Sequence, residues 1–355
     1  MEPKSEVHKR RSSHRNLRTN TGHDPFILKF PPEIASHIFC LSAEEPDYEP
    51  ESFGLNLKTL PTPFILGSVC QEWRQLAWST PQLWSSISFT LTKPPKNKGL
   101  NVILFINDWL ERSRSLPLDV WVHDDRHLIS REHYGPIIDA LNQHSGRWHT
   151  LCLYLYYPSF FGLFCGTSPP SNLRSLHLIS IYYWEKAVHF RMDSRPSPTR
   201  LTIDNFQALN IDIVWDNLRY LKAWDTGLDS CLEVIQRAPH LQSCSLLANF
   251  GRISSPLPTT IVRHMYLREL ELFDFPAGKL IEFLNLMELP SLEEYRYDYH
   301  DPEFDGGDIA AGLVSLLNRS GCHLKCSNWS CASKPQLWKI YKSCSTPYHT
   351  SKNSI

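Results

Sequence analysis

Residues Pro63 to Phe89 read PFILGSVCQEWRQLAWSTPQLWSSISF and hold three of the chain's eleven tryptophans, Trp73, Trp78 and Trp84. From Pro63 to Trp78 the apolar residues Leu66, Val69, Cys70, Trp73 and Leu76 or Ala77 recur at three- and four-residue steps. That spacing predicts one amphipathic helix with a wide apolar face. Ser79-Thr80-Pro81 then closes it, with Thr80 expected as N-cap and Pro81 at the first position of a short turn holding Leu83 and Trp84. The following SSISFTL alternates as a strand does. The stretch therefore reads as helix, capped turn and strand.

Upstream, FILKFPPEIASHIFCLS carries a second helical signature. Pro31-Pro32 marks a helix start, because the fixed proline φ suits the first turn and its missing N–H is not needed there. Glu33 lies where the helix dipole favours an anion. Ile34, Ile38 and Leu41 recur at i, i+4 and i+7 as one apolar stripe. Between the two helices, residues 42–62 hold five carboxylates and three prolines and read as a long acidic loop. Residues 1–24 are polar and basic, with Lys9-Arg10-Arg11 as a patch suited to phosphate or nuclear import, and read as a mobile tail.

These two segments together resemble the F-box, the helical module that docks proteins onto the Skp-family adaptor of SCF cullin-RING ubiquitin ligases. The family pattern is Leu-Pro-x-Glu-Leu/Ile, an apolar helix, then Leu-x-x-Val-Cys-x-x-Trp-Arg and a later Leu-Trp. Pro31, Glu33, Ile34, Ile38, Leu66, Val69, Cys70, Trp73, Arg74, Leu83 and Trp84 stand in those places. The long acidic loop and the STPQLWSSI ending are similar to F-box-like proteins abundant in mushroom-forming fungi. Phe30 stands where the family has leucine, and the loop is longer than in the standard module. The resemblance implies that Phe30, Pro31, Pro32, Glu33, Ile34, Ile38, Leu66, Val69, Cys70 and Trp73 face the adaptor, and through it a cullin.

Farther along, a short apolar phrase recurs: Leu151-Cys-Leu153, Leu173-Arg-Ser-Leu176-His-Leu178, Leu201-Thr-Ile203, Leu218-Arg-Tyr-Leu221, Leu241-Gln-Ser-Cys244-Ser-Leu246, Leu267-Arg-Glu-Leu270-Glu-Leu272 and Leu292-Glu-Glu-Tyr295-Arg-Tyr297. Equivalent positions fall about 20–26 residues apart, the period of leucine-rich repeats. Helix-like stretches such as DSCLEVIQRAPH and GKLIEFLNLMELP lie between. The expected fold is α+β: an N-terminal helical F-box module over 25–89, then an irregular α/β leucine-rich-repeat-like solenoid over 90–332 and a C-terminal tail over 333–355. An ordinary α/β domain with recurring strands is the alternative. In a repeat strand the leucines point inward and the residues between them face out. Arg174, His177, Arg219, Tyr220, Lys222, Gln242, Arg268, Glu269, Glu271, Glu294 and Arg296 are then candidates to contact a protein substrate.

The bulk numbers bound the partners. A formal net charge of −1 over 355 residues offers no global field for nucleic acid or an anionic membrane. No apolar run is long enough to span a bilayer and no secretory core follows the first charges, so cytoplasm or nucleus is expected. Ten cysteines, mostly inside apolar runs, read as reduced thiols. The sequence holds no G-x-S-x-G elbow, H-E-x-x-H, P-loop or G-x-G-x-x-G. Asp301-x-Glu303-x-Asp305-Gly306 approaches a calcium loop but has Gly312 at its twelfth position. Cys322, His323, Cys326, Cys331 and Cys344 lack a regular zinc spacing. No metal or cofactor is expected. The leading expectation is a non-catalytic substrate-recognition subunit of an SCF-type ligase. The alternatives are a repeat scaffold unconnected with ubiquitin and an enzyme without a recognisable motif.

Overall fold

The computed structural model describes residues 29–43, 61–91, 99–124, 131–167, 172–180, 189–206, 208–248, 260–299 and 307–331. The basic tail with Lys9-Arg10-Arg11, most of the acidic loop, the Asp301–Asp305 motif, Cys344 and the segment 333–355 lie outside them. The chain forms two compact units that divide between Leu83 and Trp84. That is earlier than the boundary at residue 89 read from the sequence. The difference has a plain cause: Ser86–Leu91 pairs in parallel with Leu118–Asp124, and Trp84 packs edge-on against Trp109 at 4.9 Å.

The first unit contains three helices among its described residues. Helix α1 (Pro32–Ser42) starts with Pro31 at its N-cap and Pro32 at its first position. It ends where the Ala43 N–H donates to the Phe39 and Cys40 carbonyls, with Ser42 Oγ donating to Phe39 O at 2.8 Å. Helix α2 (Thr62–Gly67) and helix α3 (Gln71–Ser79) replace the single helix expected from Pro63 to Trp78. Two local features break it. Cys70 is extended (φ −155°, ψ 176°) and its Sγ accepts from the Trp73 N–H at 3.5 Å, so a thiol caps α3. Arg74 Nε donates to Gly67 O at 2.8 Å and ties α3 back to the end of α2. Thr80 also departs from its expected role. Its Oγ1 lies 2.7 Å from Leu76 O and seals the end of α3, while its carbonyl accepts the Leu83 N–H of the turn Pro81–Trp84.

Gly67 is a close-approach position. A Cβ there would lie 2.0 Å from Cζ3 of Trp78, whose ring meets Phe64 edge-on at 5.7 Å. Gly67→Ala is therefore expected to destabilise the unit by about 1–3 kcal/mol through overpacking. Urea unfolding followed by hydrogen exchange at α2 and α3 measures this.

The second unit is mixed α/β around an open, ten-stranded, wholly parallel sheet. Its strands are β1 (Ser86–Leu91), β2 (Leu118–Asp124), β3 (Trp148–Leu155) and β4 (Ser175–Ser180), then, past the two-residue strand β5 (Phe190–Arg191), β6 (Arg200–Asp204). After β7 (Ile211–Asp212) come β8 (Tyr220–Thr226) and β9 (Ser243–Ala248). After β10 (Val262–Arg263) come β11 (Glu269–Phe273), the short β12 (Met287–Glu288), β13 (Glu294–Tyr299) and β14 (Cys326–Cys331). Helices α4 (Gly99–Arg112), α5 (Arg131–Gln143), α6 (Pro158–Phe161), α7 (Leu228–Arg237), α8 (Ala277–Asn285) and α9 (Gly307–Ser320) lie in the connections. Each long strand pairs with the next one in chain order, and β5·β7 and β10·β12 form two small parallel pairs of their own.

The register explains why the leucine phrases recur. Leu151, Leu176, Leu201, Leu221, Cys244, Leu270 and Tyr295 occupy one buried row across the sheet, and Leu153, Leu178, Ile203, Ala223, Leu246, Leu272 and Tyr297 the next. Every second residue points one way in a strand, so a shared phrase becomes a shared row. A backbone ladder joins the strands at their entry. The carbonyls of Arg174, Thr199, Arg219, Gln242 and Arg268 each accept two consecutive N–H groups at the entry of the next long strand, at 2.8–3.1 Å. These positions succeed one another every 20–26 residues, the period read from the sequence.

The ends of the connecting segments are closed by polar groups. His264 Nδ1 accepts from the Tyr266 and Leu267 N–H groups while Nε2 donates to Ala238 O at 2.9 Å, which specifies a neutral ring protonated on Nε2. Burial, the dominant cause, pushes its pKa down. Arg319 of α9 donates to Met287 O and Leu284 O and so closes the end of α8. Among the described residues no helix is long and apolar enough to cross a membrane.

Candidate docking surfaces

In the first unit, α1 divides its apolar residues between two faces. Ala35 and Phe39, four residues apart, are buried, with the Phe39 ring 4.9 Å from that of Trp73. Ile34, Ile38 and Leu41 are exposed, at 48%, 37% and 73%. On α2 and just after it, Ile65 and Val69 are exposed as well. Five large aliphatic groups left in water on so short a segment are unusual, since burying each would be favourable by about 1.5–3 kcal/mol.

The ten residues expected to face an adaptor fall into three groups. Pro31, Pro32, Glu33, Ile34, Ile38 and Val69 are exposed. Phe30, Cys70 and Trp73 are half-buried, Cys70 capping α3 and Trp73 covering Phe39. Leu66 is a correction: only 8% exposed, it belongs to the unit's own core and cannot anchor a partner. Ile65 and Leu41 were missed. Leu41 completes the stripe already visible in α1, and Ile65 lies four residues before Val69.

In the second unit the outer face of the sheet is built from three rows that alternate with the two leucine rows. The first runs Thr150, Ser175, Arg200, Tyr220, Ser243, Glu269 and Glu294. The second runs Trp121, Cys152, His177, Thr202, Lys222, Ser245, Glu271 and Arg296. The third runs His123, Tyr154, Ile179, Asp204, Trp224, Leu247, Phe273 and Asp298. Six of the candidate substrate contacts therefore lie on the face with their expected neighbours: Tyr220, Lys222, Glu269, Glu271, Glu294 and Arg296. Arg296 Nη1 donates to Glu271 Oε1, the Arg200 guanidinium lies 4.2 Å over the Tyr220 ring, and Lys222 Nζ is 6.0 Å from the Trp224 ring.

The other candidates depart from that picture. Arg174, Arg219, Gln242 and Arg268 precede the strands and hold the carbonyl ladder, and Arg219 Nη1 is occupied by His240 O at 3.0 Å. They form the entry rim, one residue short of the face. His177 is on the face, but its ring stacks 6.0 Å from Trp121 across Cys152. Desolvation first, then Lys222 and Arg200, lower its pKa to about 4, so it is neutral at physiological pH.

Over β2–β4, Trp121, His123, Cys152 and Ile179 are buried, while Tyr154 and His177 are half-buried. Over β6–β13, Trp224, Leu247 and Phe273 stand half-buried side by side in the third row. Those three were missed because the leucine phrase ends before them. The signal was the apolar residue after each phrase, in KAWD, SLLA and ELFD. The strand exits here are sharpened by Asn205, Asp225 and Asp274 at φ 58°, 50° and 52°, a left-handed conformation that Asn and Asp tolerate better than most side chains.

The cysteines whose state is described are free, and burial raises the thiol pKa of Cys152, Cys244 and Cys322. Among the described residues no group of three His, Cys, Asp or Glu side chains could hold a metal ion. The chain matches no protein-family model, no curated protein and no solved structure.

Proposed function

We propose that this protein is the substrate receptor of an SCF-type cullin-RING ubiquitin ligase. The α1–α3 module docks on a Skp-family adaptor, and a leucine-rich-repeat-like solenoid presents its outer face to a protein substrate. The observation that carries the reading is the division of α1: Phe39 and Ala35 fill the module's own core, while Ile34, Ile38 and Leu41 stand in water. An exposed aliphatic stripe is costly in isolation and is what a buried anchor at an interface requires. The order Pro-Pro-Glu-Ile, Val-Cys-x-x-Trp-Arg and Leu-Trp supports the same reading. The chain itself carries out no chemistry. Its contribution is proximity, since holding a substrate beside a transfer site converts a bimolecular reaction into an effectively unimolecular one.

Pull-down with purified Skp-family adaptor tests it. Wild-type protein is expected to bind at micromolar concentration or tighter, and Ile34→Asp with Val69→Asp to weaken binding at least 100-fold. Both residues are exposed, so circular dichroism should stay unchanged. Absence of a complex with wild-type protein would return the chain to a repeat scaffold unconnected with ubiquitin.

A further inference from the structure

We propose that the outer face engages its partner over β4–β8, at the cations Arg200 and Lys222, and that the partner is an acidic protein segment carrying Asp or Glu side chains at alternate positions. This rests on the reading above that the outer face receives a protein substrate, and adds which part of it engages and with what charge. Location follows from how charge is divided along the sheet. The entry rim and first two rows of β4, β6 and β8 hold Arg174, Arg200, Arg219 and Lys222 and no carboxylate. The same positions on β11 and β13 hold Glu269, Glu271, Glu293 and Glu294 against Arg268 and Arg296, with the uncharged entry of β9 between the two regions. Asp204 stands a row beyond the cations, with one carboxylate oxygen buried, and Asp225 lies at the exit of β8.

Arg200 and Lys222 are both exposed, and among the described residues no carboxylate pairs with either. The Arg200 guanidinium lies 4.2 Å over the Tyr220 ring. Stacking of that kind uses the guanidinium face and leaves the N–H donors along its edge available to a carboxylate. Lys222 Nζ is 6.0 Å from the Trp224 ring. The joint field of the two cations reaches His177 in the row of Lys222: after burial, which comes first, Lys222 and then Arg200 lower its pKa to about 4. Arg200 and Lys222 stand on neighbouring strands two residues out of register. Their backbones are therefore roughly 8 Å apart, from ~4.8 Å sideways and ~6.6 Å along the strand. Same-side residues of an extended partner recur every ~6.6 Å, so two acidic side chains at alternate positions reach both. Two cations on separate strands, each beside its own ring, suit single charges spread along a chain better than one dianionic phosphate. A long polyanion such as nucleic acid would also meet the carboxylates of β11 and β13.

Selection of random twelve-residue displayed peptides on the full chain at 150 mM salt tests this. Expected are enriched peptides with Asp or Glu at alternate positions, whose affinity falls at least ten-fold in Arg200→Gln with Lys222→Gln and weakens as salt rises. Both side chains are exposed, so an unchanged urea midpoint in this variant separates recognition from folding. Glu269→Gln with Glu294→Gln should change affinity less than two-fold, because β11 and β13 are two and three spacings of ~4.8 Å from β8, beyond the ~8 Å Debye length. Inorganic phosphate that displaces the peptides more effectively than chloride of equal ionic strength would overturn the carboxylate partner in favour of phosphate. So would a twelve-nucleotide oligothymidylate that binds more tightly than any of them. A dimer in sedimentation that Arg200→Gln with Lys222→Gln dissociates would overturn it in favour of a second copy of the chain. Enriched peptides that need Tyr220 but neither cation would overturn the charge and leave the outer face as the capture surface. Peptides indifferent to Tyr220→Ala and to both cations would overturn the reading of the face as well, and a selection that enriches nothing would overturn the proposal. Adaptor binding is measured separately and stands or falls independently of these outcomes.

Discussion

Phe39→Ala is expected to unfold the α1–α3 module, while Ile38→Ala, one position away, leaves it folded. Phe39 is 1% exposed and its ring packs at 4.9 Å and a 48° tilt against Trp73. Truncating a buried phenylalanine costs about 3–5 kcal/mol, which is comparable to the whole stability of a module this small. Ile38 is 37% exposed and loses about 1 kcal/mol or less. Hydrogen exchange at the α3 amides reads the difference: protection should collapse in the first variant and persist in the second. If the proposed docking holds, adaptor binding should fall in both, but only the second would lose it from a folded module. Unchanged α3 protection in Phe39→Ala would mean that the module's core has been placed wrongly.

The second large effect is acid destabilisation of the sheet unit. Burial lowers the pKa of His123 to about 4, and desolvation with Lys222 and Arg200 does the same for His177, against an ordinary 6.5. The folded state therefore prefers both rings neutral. Between pH 6.5 and 4 the unfolded chain binds more protons, so stability is fully present above about 6.5 and is lost as the pH falls. By pH 4.8 each ring should have cost about 2 kcal/mol. His144 and His264, also lowered mainly by burial, act in the same sense. Glu293, lowered by its hydrogen bond from Lys325, keeps its stabilising contribution above its ordinary value of 4.5 and so loses none of it between pH 7 and 4.8. The urea midpoint should drop steeply from pH 7 to 4.8, and His123→Gln with His177→Gln should flatten that slope. An unchanged slope in the double variant would show that these rings are not held neutral.

The strand rows were legible because leucine, isoleucine and valine mark the buried side wherever a phrase begins, and even Cys244 and the Tyr295/Tyr297 pair keep the alternation. The break between α2 and α3 was not legible. Leu66, Val69, Cys70 and Trp73 continue a helical spacing straight across it, and the deciding groups are a cysteine acting as a cap and an arginine tied back to the Gly67 carbonyl. Neither is announced by periodicity. Helix α1 posed a different ambiguity. With Ile34, Ala35, Ile38, Phe39, Cys40 and Leu41 it is apolar nearly all round, so pattern alone offers two inner faces; the Trp73 ring selects Phe39. On the outer face, sequence identified the polar residues between leucines but not the row beyond them, because Trp224, Leu247 and Phe273 look like core until the register places them.

Among the described residues each long strand of the sheet neighbours its predecessor and successor in chain order, and from β4 to β13 the entry carbonyls repeat the same two-bond link. Duplicating one whole period would add a rung and lengthen the platform without asking any distant residue to move. Because each strand sets its own alternation, deleting one residue inside a strand would turn only that strand's later side chains onto the wrong side.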